Sequence, residues 1–198
     1  MRAFRVFAVV LAATLALTAC SSGEQDTLAA DYRDGSGQDY VSGDGAYTFL
    51  AESSRQDPIE FSGPDDLGGE WSSTDYSDSV ILVNFWYAGC PPCRVEAPDL
   101  VALHQEFSSQ GVQFVGINVY DQAATARTFA DEFGIDYPSI LDVDSGLARL
   151  AFAGQITPNA VPVTLVLDRE HRVAARVSGL ITDVEVLRTM IRDVLAEN

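Results

Sequence analysis

The chain has 198 residues, of which 47% are hydrophobic, so it can form one domain with a sizeable core and some additional segments. It is acidic, with 12 Lys and Arg residues against 29 Asp and Glu residues and a formal net charge of −17. This charge argues against binding to nucleic acid and against electrostatic attachment to anionic lipid, because both need a positive protein surface.

The first 19 residues predict an export signal. Arg2 and Arg5 form a charged start, and the apolar stretch of residues 7–17 is too short to span a membrane as a helix. The stretch ends in Leu-Thr-Ala-Cys at residues 17–20, which resembles the signal of bacterial lipoproteins. This resemblance implies that Cys20 is lipidated and that the protein is anchored to the extracytoplasmic face of the cell membrane.

The segment that follows Cys20 predicts a flexible acidic linker. Of the 25 residues from 21 to 45, 15 are Gly, Ser, Asp or Glu, and no apolar periodicity is present. A flexible coil of this length spans about 25–30 Å on average. The linker would therefore hold a folded domain, predicted to occupy residues 46–198, close to the membrane.

The first part of this domain predicts two short strands, a central strand and a long helix. Residues 46–50 and 59–61 are the short strands, which could form a hairpin. Residues 80–87 are nearly all apolar and predict a buried central strand. Pro91 and Pro92 then predict the start of a helix that extends to about residue 109, since proline is accommodated in a first helical turn.

The second part continues to alternate strands and helices, which predicts an α/β sandwich with a mixed sheet. The predicted elements are a strand at 112–119, a helix from 121 or 125 to 133 ended by Gly134, a short helix at 145–152, paired strands at 163–167 and 172–177, and an amphipathic helix at 182–195 capped by Thr182.

Cys90 and Cys93 are the two cysteines of the predicted domain, and their spacing allows three interpretations. A zinc site needs four ligands, and neither His104 nor His171 has a suitable spacing; His104 would lie about 16 Å along the helix from Cys93. No metal is therefore expected. A structural disulfide would close too short a loop to remove much unfolded-state entropy, although an oxidising compartment permits it.

The third interpretation, a reactive dithiol, fits the flanking sequence best. Cys90 stands between a buried strand and a helix N-terminus, where backbone N–H groups favour a thiolate. Cys93 is close enough to resolve a mixed disulfide formed at Cys90. Pro91 and Pro92 supply no N–H group to the Cys90 sulfur, so the dithiol form gains less stabilisation and a reducing couple is expected.

Glu96 falls on the same helix face as Cys93 and several apolar residues. Burial there would raise its pKa, which makes it a candidate to accept the Cys93 proton, directly or through a water molecule. The alternative is that Glu96 turns to solvent and only favours the first half of the helix.

Two stretches carry a family resemblance: "VNFWYAGCPPCRVEAPDL" at residues 83–100 and "VPVTLVLD" at residues 161–168. They resemble the membrane-anchored, thioredoxin-like thiol-disulfide oxidoreductases of the TlpA/ResA type. The resemblance implies a thioredoxin fold with a mixed β-sheet, an N-terminal extension and a central insertion, here within residues 118–160. It also implies a redox-active disulfide between Cys90 and Cys93, with Glu96 as the acid that follows the second cysteine.

The same resemblance implies a substrate site. Pro162 would be a cis-proline that faces the cysteines and exposes the backbone of Val161 to an extended substrate segment; Pro158 is the competing cis candidate. Trp86, Pro91 and Pro92 are the remaining candidates for substrate contacts.

Three positions depart from or qualify the family pattern. Gly89 stands before Cys90 where Trp is usual, which leaves the edge of the site less bulky. Asn84 stands where thioredoxin has a buried acid. The turn at residues 168–171 lacks the usual Gly.

These features predict an extracytoplasmic protein-disulfide reductase that needs no cofactor beyond its dithiol. By resemblance, the expected substrates include apocytochrome c, and the expected electron donor is a membrane thiol protein. A disulfide-forming oxidase is the near alternative. A thiol peroxidase is disfavoured because peroxiredoxins carry the motif Pro-x-x-x-Thr/Ser-x-x-Cys, and Val83 and Tyr87 stand at its Pro and Thr/Ser positions. A copper-handling lipoprotein is disfavoured because the sequence has no Cys-x-x-x-Cys pair.

Overall fold

The computed structural model describes residues 40–41, 46–157 and 159–197. The predicted signal, Cys20, most of the predicted linker and Pro158 lie outside the described residues. Tyr40 and Val41, which were predicted as linker, form a strand of the sheet, so the prediction that the folded domain begins at residue 46 is wrong. Within the described part, no helix is both long and apolar enough to cross a membrane.

A mixed sheet of seven strands forms the centre of the molecule, in the order β1-β2-β9-β8-β5-β6-β7. A separate two-stranded sheet pairs β3 with β4. The strands are β1 (Tyr40–Val41), β2 (Tyr47–Phe49), β3 (Ser62–Pro64), β4 (Glu70–Ser72), β5 (Val80–Trp86), β6 (Val112–Asn118), β7 (Ser139–Leu141), β8 (Val163–Leu167) and β9 (Val173–Ser178).

Strand β5 is central because apolar side chains cover both of its faces. All seven of its residues are buried, and the strand pairs in parallel with β6 and antiparallel with β8. The alternation of a strand sends Val80 and Leu82 to one face, and Ile81, Val83 and Phe85 to the other. The predicted buried central strand is confirmed.

The described residues form four α-helices, and two of them cover one face of the sheet. Apolar side chains of the long first helix and of the last helix pack there against β5, β8 and β9, and the opposite face is covered by residues 59–76 and by Phe152. The helices are α1 (Pro91–Phe107), α2 (Ala123–Phe133), α3 (Leu147–Ala151) and α4 (Val184–Ala196).

Several predicted elements are confirmed with small changes in their bounds. The helix predicted from residue 91 to about 109 ends at Phe107, and α2 stops at Gly134, whose φ of 72° is left-handed. The last helix begins at Val184 rather than at residue 182. Its N-cap is Asp183, whose Oδ1 accepts from Glu185 N, so the prediction of Thr182 as the cap is wrong.

The prediction of a hairpin between residues 46–50 and 59–61 is wrong. Strand β2 pairs with β1 and β9. Residues 59–61 are irregular: Ile59 and Phe61 are buried singly in the core, and their N–H groups bond to His171 O and to Ser73 Oγ. The β3–β4 hairpin and the edge strand β7 were not predicted, because such short segments show too little alternation of apolar and polar residues to be separated from the surrounding loops.

The fold brings the predicted site residues to one edge of the sheet. Because β5 and β6 are parallel, their carboxyl ends lie at the same edge, and α1 begins there directly after β5. Strand β8 runs the opposite way, so its first residues, just after Pro162, reach the same edge. Residues 118–160 contribute α2, β7 and α3 beside it.

Candidate active site

Cys90 and Cys93 are joined by a disulfide at the first turn of α1. Their Cα atoms are 5.3 Å apart, and each residue is only 2% exposed. Cys90 is the N-cap residue of α1, and its own N–H donates to Tyr87 O at 3.1 Å. The oxidised pair is therefore held at a fixed place between the central strand and the helix.

The two prolines determine which backbone donor reaches the Cys90 sulfur. Pro91 and Pro92 occupy the first two helical positions and have no N–H group. The first free amide is that of Cys93, which donates to Cys90 Sγ at 3.2 Å. A single backbone donor is thus directed at the sulfur, in agreement with the limited stabilisation expected of a Pro-Pro spacer.

Glu96 is buried on the face of α1 that carries Cys93, and its side chain does not turn to solvent. The residue is 1% exposed. Its two carboxyl oxygens accept from neutral donors, Oε1 from Asn84 Nδ2 at 3.0 Å and Oε2 from Ile181 N at 3.2 Å. Burial raises the pKa of Glu96 to about 7; the two hydrogen bonds act in the opposite direction and the charge of Asp99 adds to the increase. The carboxyl can therefore hold or release a proton near neutral pH.

Asn84 and Thr164 support this carboxyl from the sheet. The two residues face each other across β5 and β8, and Asn84 Nδ2 donates to Thr164 Oγ1 at 3.0 Å as well as to Glu96. The amide replaces the buried acid of thioredoxin with a neutral donor. Thr164 and Ile181 were not predicted as site residues; the signal for Thr164 was its place two residues after the predicted cis-proline.

A small cavity lies beside Cys93. The space that the centre of a water molecule could occupy there is about 10 Å³, roughly enough for one water. Polar groups in its lining come from Asn84 and Tyr137, and the rest is mainly apolar. Burial, followed by the nearby charge of Glu96, raises the pKa of Tyr137 well above its usual value. Tyr137 was not singled out from the sequence, where it reads as a core aromatic.

The Val161–Pro162 peptide bond is cis, as the family resemblance implied. Val161 is half-buried and packs against the apolar cluster that contains Cys90 and Cys93. The segment before β8 thus lies against the disulfide, where the resemblance places the substrate site.

The predicted substrate contacts differ in their exposure. Pro91 is exposed and Pro92 is half-buried, so both can meet a substrate. Trp86 cannot, because it is 4% exposed, its ring packs on Phe129 and its Nε1 donates to Ser139 Oγ. The expectation of a substrate contact by Trp86 is corrected: its side chain belongs to the core under the site.

Neither histidine lies at the cysteines. His104 Nδ1 is 2.7 Å from Asp136 Oδ1, and the His171 ring hydrogen-bonds the backbone oxygen of Tyr76. His171 also takes the left-handed conformation, with φ of 62°, in the turn that lacks a Gly. Over the residues that the structure describes, no group of three or more His, Cys, Asp or Glu side chains is placed to hold a metal ion.

Characterised proteins are similar to this chain in sequence. The thiol:disulfide interchange protein HelX of Rhodobacter capsulatus is 33% identical over 140 residues, which cover 66% of this chain and 70% of HelX. The thiol-disulfide oxidoreductase ResA of Bacillus subtilis is 29% identical over 110 residues, or 56% of this chain and 59% of ResA. The chain therefore matches about three fifths of the length of that relative.

Solved structures show the same fold. A secreted thiol-disulfide isomerase from Corynebacterium glutamicum superposes with a TM-score of 0.67 and 31% identity, covering 79% of this chain and 97% of its own. A thioredoxin-family thiol:disulfide interchange protein from Chlorobium tepidum gives a TM-score of 0.65 and 29% identity, covering 74% of this chain and 100% of its own. The predicted thioredoxin-like α/β fold is confirmed.

The AhpC/TSA family model matches residues 55–176. This range includes the disulfide, Glu96 and the cis-proline segment. With the likeness to ResA and HelX, it shows that the chain belongs to the AhpC/TSA family and, within the thioredoxin-like fold, to the relatives of the TlpA/ResA type.

Proposed function

We propose that this protein is an extracytoplasmic thiol-disulfide oxidoreductase that works as a protein-disulfide reductase. The observation that supports this most is the placement of the Cys90–Cys93 disulfide at a helix start, with the buried Glu96 carboxyl one turn further along the same face. A carboxyl whose pKa is about 7 and whose partners are neutral is suited to proton exchange with a thiol.

The reaction begins with the reduced dithiol. The Cys90 thiolate attacks one sulfur of a substrate disulfide, which forms a mixed disulfide and releases one substrate thiolate. The Cys93 sulfur, after losing its proton, attacks Cys90 Sγ and releases the second substrate thiolate. The substrate gains two electrons and two protons, and the enzyme is left with the Cys90–Cys93 disulfide, which is the form seen in the structure.

Glu96 accepts the Cys93 proton in the resolving step and returns it in the reverse step. When an external dithiol donor attacks the enzyme disulfide at Cys90, Cys93 leaves as a thiolate, and the protonated Glu96 supplies its proton. The small cavity next to Cys93 could hold about one water, and its lining includes Asn84, the side chain that donates to Glu96.

The substrates are proteins. An extended substrate segment would pair with the backbone of Val161, which packs against the cysteine cluster, and could also contact the exposed Pro91. Like the relatives named interchange proteins, this protein would exchange thiols with protein partners; apocytochrome c is the substrate that the TlpA/ResA resemblance suggests, and a membrane thiol protein is the donor.

The N-terminal sequence and one relative support a location outside the cytoplasm. We propose that residues 1–19 direct export, that Cys20 carries a lipid, and that the part of the predicted linker before β1, residues 21–39, tethers the domain outside the cytoplasmic membrane. The Corynebacterium glutamicum relative is a secreted protein. Mass spectrometry of the mature N-terminus from membrane fractions tests this: a diacylglycerol adduct on Cys20 supports the anchor, and a free, unmodified Cys20 contradicts it.

The reducing direction rests on the Pro-Pro spacer, which leaves only the Cys93 amide to stabilise a Cys90 thiolate. Equilibration with glutathione buffers gives the reduction potential. A value near that of thioredoxin, about −270 mV, is expected, whereas a value near −120 mV would assign the protein to the oxidase class.

Trapping of the mixed disulfide tests the function as a whole. Cys93→Ser is expected to accumulate proteins linked to Cys90, all of them released by dithiothreitol, and Cys90→Ser is the matched control that should trap none. If Cys93→Ser traps no more than Cys90→Ser, the exchange function is wrong. Rapid consumption of hydrogen peroxide by the prereduced protein would favour a thiol peroxidase instead.

A further inference from the structure

An exposed aromatic side chain, Tyr120, packs against Tyr87, whose ring also borders Gly89, the residue before Cys90. Tyr120 follows β6 and is 66% exposed. Its ring centre is 5.1 Å from that of Tyr87, with the planes at 62°, an edge-to-face arrangement. Tyr87 in turn stands just before the segment that carries Cys90, to whose N–H it offers its backbone oxygen.

A set of hydrogen bonds fixes Tyr120 in this position. The Asn118 side chain closes the turn, with Oδ1 accepting from Tyr120 N at 3.1 Å and from Asp121 N at 2.7 Å. Asp121 Oδ2 accepts from Asn118 Nδ2 at 3.0 Å and from Ala88 N at 2.6 Å. The turn after β6 is thereby bonded to the segment between β5 and Cys90.

Half-buried apolar side chains beside Tyr120 and in the cis-proline segment pack against the same cluster. Tyr87, Ala88 and Val161 are each half-buried and pack against the one cluster that contains both cysteines. Tyr120 extends this surface outward from Tyr87. An extended chain lying on Val161 with its sulfur at Cys90 would therefore bring a flanking side chain toward the two tyrosines.

We propose that Tyr120, supported by Tyr87, is a specificity-determining residue that binds an apolar or aromatic side chain next to the reacting cysteine of a polypeptide substrate. Single exposed tyrosines are common on protein surfaces. Tyr120 differs because its backbone is hydrogen-bonded to the turn that is joined to the cysteine segment. Substrate binding therefore costs little backbone conformational entropy at this residue. The inference rests on the proposed exchange function and adds to it the class of sequence that the site selects.

Two synthetic peptides test the preference. Each contains an intramolecular Cys-x-x-Cys disulfide and differs only in the residue before the first cysteine, Phe in one and Ser in the other. The measurement is the second-order rate constant for oxidation of the prereduced full-length protein by each peptide. The unchanged protein should react about three- to tenfold faster with the Phe peptide, as expected from one aromatic contact.

Substitutions then assign the preference to the tyrosine. Tyr120→Ala should reduce the Phe-to-Ser rate ratio to near one, and Tyr120→Phe should keep it because the ring remains. Leu67→Ala is the matched control: Leu67 is 71% exposed in the turn between β3 and β4, and its removal should leave the ratio unchanged.

The outcomes separate this inference from the function on which it rests. If the unchanged protein reacts equally with both peptides, or if Tyr120→Ala keeps the ratio, the inference is wrong while the exchange function stands. A stronger preference for a third peptide with Arg at the same position overturns the apolar assignment. Failure of the unchanged protein to react with these peptides and with a small aromatic disulfide overturns the exchange function, and the inference with it.

Discussion

Two buried carboxylates at opposite ends of β8 show how differently one fold uses the same chemical group. Glu96 lies near the start of the strand, at the disulfide, and its oxygens accept only from an amide side chain and a backbone N–H. Asp168 lies directly after the strand and is 4% exposed. Two guanidinium groups hold it, Arg55 at 2.9 Å and Arg172 at 2.8 Å.

The cations make the Asp168 end a structural junction. Arg55 has a fully buried side chain that also binds Glu197 at 2.6 Å, so it ties the N-terminal segment and the end of α4 to the turn after β8. Asp168 Oδ1 additionally accepts from the N–H groups of Glu170 and Arg172. At this end the guanidinium groups neutralise the Asp168 carboxylate, and the ion pairs hold the connected segments in place.

Glu96 has the opposite environment, and this makes it useful for chemistry. A buried carboxyl with neutral donors is easier to protonate, so its pKa rises to about 7, close to the pH at which a thiol enzyme works. The difference between the two ends lies in whether an arginine accompanies the acid. Four predictions test that difference.

The largest effect on stability is expected at the Asp168 end. Arg55→Met keeps much of the side-chain volume but leaves the buried Asp168 with one guanidinium partner instead of two and removes the partner of Glu197, and it should lower the free energy of unfolding by about 3 kcal/mol in denaturant titrations. Arg192→Met removes a partly exposed ion pair with Glu106 and should cost less than about 1 kcal/mol. Similar losses for the two variants would contradict the distinction.

Glu96 should make stability depend on pH. Its folded pKa of about 7 exceeds the ordinary value of 4.5, so the folded protein holds an extra proton between these pH values. The stability that Glu96 contributes is complete below pH 4.5 and is lost as pH rises through 7, by about 3 kcal/mol in total. Denaturant titrations from pH 4 to pH 8 should show this loss in the unchanged protein and not in Glu96→Gln.

Glu132→Gln is the control for that experiment, because Glu132 is about half exposed and is paired with Arg94 at the surface. Its pH dependence should run parallel to that of the unchanged protein. A parallel curve for Glu96→Gln as well would show that the buried carboxyl does not titrate in this range.

Glu96 should also affect the rate of thiol exchange. Reduction of the enzyme disulfide by dithiothreitol, corrected for the donor's own titration, should fall as pH rises through about 7 and Glu96 loses its proton. Glu96→Gln should remove this inflection and lower the rate at pH 6 by about 100-fold, the low end of the range for acid–base catalysis. An inflection that persists in Glu96→Gln would assign the proton to another group.

The smallest effect is expected at Asn84. Its Nδ2 hydrogen bond lowers the pKa of Glu96, so Asn84→Ala should move the inflection upward by about one pH unit. Thr164→Val keeps the Asn84–Glu96 bond and is the matched control. A downward shift in Asn84→Ala would mean that water enters and outweighs the lost hydrogen bond.

Much of the candidate site could be predicted from the sequence because its residues are close together in the chain. Cys90, Cys93 and Glu96 are spaced along one helix, and the 3.6-residue period placed Glu96 on the buried face before its surroundings were known. The cis bond at Pro162 was implied by a family motif and was found.

Other residues of the site could not be predicted from the sequence because their roles depend on contacts between segments that are distant in the chain. Thr164 and Ile181 reach Glu96 only after β8 and the segment before α4 are packed beside α1. Trp86 looked like a substrate contact from its place beside the cysteines, yet strand alternation and the packing of α2 bury it. The position of Tyr120 depends on the turn at residues 118–121, which is hydrogen-bonded to Ala88, a contact that the sequence does not indicate.

The sequence by itself determined the order of the main strands and helices, the cysteine pair and the acid on its helix, because hydrophobic periodicity and close spacing are local properties. Only the tertiary structure decided which buried acids meet an arginine, which aromatic rings stay at the surface, and how far the pKa of Glu96 moves. Those outcomes depend on burial and on partners brought together by the sheet, and electrostatic energies change far more with such surroundings than with residue type.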